Sequence, residues 1–368
     1  MDSSIATQND ETSKKFHTEQ TLVDVEDIIS KLHESTLGHI LCFLPTIEAV
    51  RTCVLSRSSL VQLVLQMRCT LSVPIFASLP NLQNLSISGI KLVSESSTYS
   101  EDTILSFPVL KVFEARGCEW STMQDISIQA PLLETFSIAI WNSQSNESCK
   151  SSIKIFGPHL TDFSYEGDLE QDIILLNPSS IRSASVVIVI DEDKKNRMEK
   201  LGFQAHMLLK QIHEVERLNL LCYKVIMHAK DIFTHLPAFG RLSHLQLNEA
   251  TGEALLKLLH NSPNLNTLVL LNGVCDLNKD ILTSASVPHC FMSSLKVFQF
   301  KGFNVHDHEL CLVKFVMTNA AILERITIST AFWLRYSDID LEKVKEQILS
   351  FPKCSSVALI EFSDVKGS

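Results

Sequence analysis

A short apolar pattern recurs along this chain, and internal repetition is the feature that most restricts how it can fold. At residues 262–270 it reads Ser-Pro-Asn-Leu-Asn-Thr-Leu-Val-Leu. Its core is an apolar residue, two variable ones, a second apolar residue, one variable residue and a third apolar one. Copies begin at Leu60, Leu82, Leu110, Leu133, Leu160, Ile181, Val215, Leu242, Leu265, Leu295 and Leu323, so successive starts lie 21 to 34 residues apart. The last two apolar positions of a copy, such as Leu268 and Leu270, differ by two, which on a strand places them on one face. Prolines 80, 108, 131, 158, 237 and 263 precede these strands, where fixed φ and a missing N–H are tolerated.

One copy buries about three or four aliphatic side chains, each contributing roughly 1.5–3 kcal/mol. Ordering more than twenty residues costs about 1–2 kcal/mol apiece in backbone entropy. A single unit therefore cannot fold alone, and stacking must supply the missing burial. Most spacings fall in the roughly 20–29 residues of a leucine-rich repeat, where each unit contributes a short strand and a return segment. The expected fold is α/β: a curved leucine-rich-repeat solenoid with parallel strands on its concave face, occupying residues 58–289.

Composition narrows the partners. A net charge of −10 and a pI near 5.7 argue against nucleic acid or an anionic membrane, since both demand a basic footprint. No apolar run reaches membrane-spanning length; the strongest, Val186–Ile190, is strand-length and ends at Asp191. The start, MDSSIATQNDETSKK, is polar and of mixed charge, so residues 1–24 read as a disordered tail rather than a secretory signal. The 10 cysteines are scattered without a Cys-x-x-Cys pair, as expected of small buried hydrophobes in a reducing compartment.

Ahead of the repeats, Leu37, Ile40, Leu41 and Leu44 fall at i, i+3, i+4 and i+7, one stripe of a short amphipathic helix. Pro45 stops it, Thr46 can cap a second helix, and Glu48 stands in that helix's first turn. Ala49, Val50, Cys53 and Val54 make a second apolar stripe ending near Arg57. Two helices this short expose more apolar surface than they can bury against each other, so they need either the solenoid or another chain.

The run from Leu37 to Ser56, Leu-Gly-His-Ile-Leu-Cys-Phe-Leu-Pro-Thr-Ile-Glu-Ala-Val-Arg-Thr-Cys-Val-Leu-Ser, resembles the F-box of the plant family of F-box, FBD and leucine-rich-repeat proteins. The resemblance implies a partial F-box over 25–57. There Leu32, Leu37, Ile40, Leu41, Leu44, Pro45, Val50, Val54 and Leu55 would contact or shape the surface for a Skp-type adaptor, and through it a cullin. Two departures stand out: Leu32-His33 replaces the family's usual Leu-Pro, and after Arg57 the chain passes directly into the strand-like Ser58–Leu65 where the family has a third, tryptophan-containing helix.

Between Trp141 and Lys150, and from Asp191 to Lys200, polar and charged runs read as loops or a solvated helix start. Near the C-terminus, SSLKVFQFKGF, a helix placing Leu310, Val313, Lys314 and Met317 at helical spacing, and NAAILERITI are similar to the FBD region. That likeness implies an FBD cap over 290–365. Leu341, Val344, Ile348 and Leu349 give a final amphipathic helix, and Ser355–Phe362 a last strand. A terminal helix and strand would cover the open end of the solenoid.

The chain contains no Gly-rich phosphate loop, Gly-x-Ser-x-Gly elbow or His-Glu-x-x-His pair, so no cofactor and no catalytic residues are assigned. The metal-like run His306-Asp307-His308-Glu309 with Cys311 reads as a solvated turn at a helix start. Trp120, Trp141 and Trp333 read as packing or rim residues. The resemblance implies a non-catalytic, substrate-recruiting subunit of a Skp-cullin-F-box ubiquitin ligase, in cytoplasm or nucleus, holding an unidentified target protein on its solenoid. The alternative is a binding-only repeat protein whose F-box does not engage the ligase.

Overall fold

A computed structural model describes residues 60–66, 68–72, 79–93, 103–120, 125–140, 152–169, 171–189, 198–221, 236–275, 277, 282 and 286–363. The two F-box helices, and all nine residues assigned to adaptor contact from Leu32 to Leu55, lie outside the described residues.

Each of the eleven copies becomes a strand, and each strand begins two residues after the copy's first apolar residue. In chain order these are β1 (Gln62–Gln66), β3 (Asn84–Ser88), β6 (Val112–Arg116), β8 (Thr135–Ile140), β10 (Asp162–Gly167), β12 (Ser183–Ile188), β13 (Arg217–Leu221), β14 (His244–Thr251), β15 (Thr267–Cys275), β16 (Val297–Phe303) and β17 (Arg325–Thr330). With β18 (Leu359–Ser363) they form one 12-stranded parallel sheet in that order. This long parallel sheet with few helices is compatible with a leucine-rich-repeat-like solenoid. Parallel neighbours need a crossover between them, and the return segment of each repeat supplies it.

The joints repeat as regularly as the strands. From β3 to β17 in the long sheet, the residue before each strand and the strand's first residue both donate to one carbonyl of the preceding repeat: Lys111 and Val112 to Gln83 at 2.8 and 3.0 Å, Asn266 and Thr267 to Ser243 at 2.9 Å each. The prolines serve a turn rather than the strand itself. Leu133 N–H donates to Ala130 at 3.1 Å and Leu160 N–H to Gly157 at 3.0 Å, which places Pro131 and Pro158 second in a four-residue turn. There a φ near −65° is already correct.

All three apolar positions of a typical copy are buried: Leu265, Leu268 and Leu270 in one repeat, Leu133, Phe136 and Ile138 in another. Register stacks like positions on each other, so Phe113, Phe136 and Phe163 form a column of near-parallel rings with centroids 5.1 and 6.2 Å apart. The buried cysteines belong to this core. Burial raises the Cys118 thiol, against backbone hydrogen bonds that lower it, and pushes Cys290 up to about 11, so neither is a thiolate near neutrality.

The layer behind the sheet changes character along the chain. In the first half it is a four-stranded parallel sheet in the order β11 (Asp172–Leu176), β9 (Ser152–Phe156), β7 (Asp125–Gln129), β5 (Thr103–Ser106). The remaining pair, β2 (Thr70–Ser72) and β4 (Lys91–Val93), makes a small parallel sheet. From residue 198 helices take over: α1 (Met198–Gln211), α2 (Gly252–His260), α3 (His289–Ser293) and α4 (Asp307–Asn319). At the seam α1 covers the edge of β11. The Gln211 side chain accepts from Leu175 N–H at 2.7 Å and donates to the Ile173 carbonyl at 3.0 Å, standing in for the next strand. Gln204 donates to Asp172 at 2.9 Å.

The final helix, α5 (Leu341–Leu349), is N-capped by Asp340, which accepts from Lys343 N–H at 3.3 Å. Its expected four-residue stripe is only partly used. Ile348 is fully buried and Val344 packs on the core, whereas Leu349 remains 49% exposed, because only one side of this short helix meets the sheet. The closing strand β18 pairs β17 in register, with Ser355 donating to the Leu323 carbonyl at 2.6 Å to hold the approach.

Candidate binding surface

Alternation within each strand turns one set of side chains into the core and the other outward. The outward set lines up across the sheet. Its central column runs Val64, Ser86, Glu114, Ser137, Ser164, Ser185, Asn219, Gln246, Val269, Gln299, Thr327, Glu361, polar except for the exposed Val64 and for Val269, which is buried between Gln246 and Gln299. Neighbours in the column bond to one another: Ser86 to Glu114 at 3.4 Å, Asn219 to Ser185 at 3.0 Å and Gln246 to Asn219 at 3.1 Å. Among the described residues this face offers hydroxyl, amide and carboxylate groups that can donate and accept hydrogen bonds.

Charge is unevenly divided on that face. The earlier strands carry Glu114, Asp162 and Glu166 with Arg116, while β13 to β17 carry Arg217, His244, Lys301 and Arg325. Arg217 pairs in register with His244. His244 is held below the ordinary histidine value, first by burial and then by the Arg217 and Lys301 charges, so it is neutral near pH 7. Arg217, Lys301 and Arg325 are exposed and make no ion pair among the described residues.

The rim at the C-terminal ends of the same strands is built around Glu309, which corrects the expectation of a solvated turn. Glu309 is fully buried. One carboxylate oxygen accepts from Val274 N–H at 3.2 Å and Asn304 Nδ2 at 3.3 Å; the other accepts from Asn304 N–H at 2.8 Å and His306 N–H at 3.3 Å. A buried carboxylate requires this many donors. The last bond is half of a capping box, with Glu309 three residues past the helix cap. That spacing was visible in the sequence and is the signal that identifies the residue.

The joint imposes conformations around it. Val305 has φ 63°, a left-handed conformation costly for a β-branched residue, and it is held by the Glu309 bonds on either side. Gly273 has φ 84°, and a Cβ there would lie 2.8 Å from the Glu309 carboxylate. His306, His308 and Glu309 place ligand-type atoms within 4.8 Å. However, the carboxylate is saturated by N–H donors, and His308 Nε2 is 2.7 Å from the Val274 carbonyl. The geometry is that of a hydrogen-bonded joint between β15 and α4.

Beside this joint stands an aromatic ridge. Trp333 donates from its ring N–H to Asn304 at 2.9 Å. Phe332, Trp333 and Tyr336 are 52, 49 and 81% exposed, and Arg335 lies over the Phe332 ring at 5.3 Å. Trp333 is thus the rim residue expected, while Trp120 is fully buried; Trp141 lies outside the described residues.

The fold and this face define a repeat protein that presents a sheet surface, closed at its C-terminal end by a helix and a strand. Comparison with known proteins specifies it further. Residues 283–328 match the FBD family model. The chain is similar to an F-box/FBD/LRR-repeat protein of Arabidopsis thaliana, 27% identical over 311 residues that cover 83% of this chain and 66% of the relative. An FBD-associated F-box protein of the same plant is 26% identical over 57% of this chain and 46% of its own length. A second F-box/FBD/LRR-repeat protein is 23% identical over 88% of this chain and 75% of its own. The chain therefore spans between about half and two thirds of the length of the first two relatives. The likeness to plant F-box/FBD/LRR-repeat proteins thus extends over most of the chain, and the FBD match falls in the C-terminal segment where it was expected.

Proposed function

We propose that this chain is the substrate-recruiting subunit of a Skp-cullin-F-box ubiquitin ligase, acting in cytoplasm or nucleus and performing no bond chemistry itself. In this reading residues 25–57 dock on the Skp-type adaptor through Leu32, Leu37, Ile40, Leu41, Leu44, Pro45, Val50, Val54 and Leu55. The leucine-rich repeats of 58–289 and the FBD region of 290–365 hold a target protein. Proximity is the mechanism: tethering raises the effective concentration of target lysines at the ubiquitin-loaded enzyme. The observation that carries the reading is the F-box-like run placed immediately ahead of a long stacked sheet in a chain related to F-box/FBD/LRR-repeat proteins.

Co-purification with a recombinant Skp-type adaptor tests it. Recovery of the adaptor by the native chain, and its loss on Leu41→Asp, is the expected result. Failure to recover adaptor when a relative with a complete third helix does so would overturn it. A second reading, a binding-only repeat protein, is favoured by the short span between Arg57 and β1 at Gln62, which leaves no room for a third helix. Overexpression separates the two: targets accumulate under the binding-only reading and decline under the first.

A further inference from the structure

The outward face from β13 to β17 collects positive charge on a chain whose net charge is −10. Arg217, Lys301 and Arg325 are spread over 109 residues of sequence and are brought together, around the neutral His244, only by register. Arg217 faces His244, His244 faces Thr267, Thr267 faces Val297, and Val297 faces Arg325. At about 4.8 Å per strand the column spans roughly 19 Å. Lys301 lies four residues along β16 from Val297, on the same face, which widens the strip to about 13 Å. Between the charges lie the amides of Asn219, Gln246 and Gln299; the Gln299 amide makes no hydrogen bond among the described residues.

From this arrangement we infer that the face of β13 to β17 holds an acidic segment of a partner protein in extended form. The cations meet its carboxylates, and the side-chain amides, each carrying both donor and acceptor, meet its backbone. The flanking surface selects for a short acidic stretch over a long polyanion. Glu114, Asp162 and Glu166 on the earlier strands and Glu361 on β18 bracket the strip and repel negative charge that extends past it. The exposed Trp333 and Tyr336 on the adjoining rim offer an apolar contact, of the residue types that dominate binding hot spots.

This inference rests on the reading of the sheet as the target-holding surface, and one experiment separates the two. The full chain is screened against a random peptide library. Alongside it run the triple variant Arg217→Gln, Lys301→Gln, Arg325→Gln and the blocking variant Ser164→Trp, Asn219→Trp, each confirmed folded by circular dichroism and thermal melting. The expected result is enrichment of Asp/Glu-rich peptides by the native chain. Their affinity should fall about tenfold or more in the triple variant, from three exposed ion pairs each worth a few-fold, and should weaken as salt rises from about 0.05 to 0.5 M. Asp162→Asn should leave it unchanged or tighter. Enriched peptides without acidic bias that are lost only in the blocking variant would overturn the inference while leaving the face as the target site. Peptides that survive both variants, or no enrichment, would count against both. Tighter binding of single-stranded RNA than of acidic peptide, dependent on the same three cations, would assign the strip to nucleic acid and overturn it.

Discussion

The two halves of the molecule share a front and differ behind. From β1 to β12 the described return segments run as strands, β2, β4, β5, β7, β9 and β11; from β12 to β17 they include the helices α1 to α4. The front is indifferent to the change. The triplet of buried apolar residues and the paired hydrogen bonds at each strand start continue across the seam unaltered. The back follows local periodicity instead. Segments such as Asp125–Gln129 and Ser152–Phe156 alternate buried and less buried positions, while Gly252–His260 buries Ala254, Leu255, Leu258 and Leu259 on a helical stripe. Strands stack about 4.8 Å apart, matching the front, whereas helices pack about 8–10 Å apart. Curvature is therefore expected to concentrate in the helix-backed half, where the basic strip lies.

The sharpest way to break this comparison is within each core. Phe136→Ala removes the central ring of the aromatic column and should cost about 3–5 kcal/mol, measured by urea unfolding. Its effect in native-state hydrogen exchange should centre on the strand-backed half. Next is Glu309→Ala, which leaves the buried N–H of Val274 and the partly buried N–H of Asn304 without their acceptor. A loss of about 3 kcal/mol or more is expected, with loosened exchange confined to β15, β16 and α4. Unchanged stability would show that the joint is incidental.

At the seam itself, Gln211→Leu uncovers the edge of β11 and should cost about 1–3 kcal/mol. The same change should promote self-association, seen by light scattering, because an unpaired strand edge is a template for pairing. Smaller still is the pH response of His244. Its pKa is depressed in the folded chain, so the unfolded chain takes up the proton first and stability falls as pH drops below the ordinary histidine range toward the folded value. His244→Asn should flatten part of that acid limb in thermal melts, by a small amount since the ring is partly exposed. The smallest effects belong to two ion pairs that occupy equivalent places in the two halves, Lys111 with Glu134 at 3.6 Å and Lys296 with Glu324 at 2.9 Å. Both are exposed, so Lys111→Ala and Lys296→Ala should each change stability by less than about 1 kcal/mol.

Much of the front was legible from residues alone. The repeat starts from Leu60 to Leu323 place every one of the first eleven front strands, because a triplet with spacing three and two is a local signal that needs no knowledge of the neighbours. The backing strands were not read, since segments as short as Thr103–Ser106 carry too few alternations to stand out. The same shortness hid the difference between the two halves.

By itself, then, the amino-acid order determined a stack of like units, the strand in each, and the FBD-like segment near the C-terminus. Tertiary structure alone decided that Gln211 would close a sheet edge, that Glu309 would be buried rather than solvated, and that three cations far apart in the chain would share one surface. The reason is physical. Burial and charge depend on which residues register brings side by side, and parallel stacking sets that register by joining positions 20 or more residues apart, beyond the reach of any local pattern.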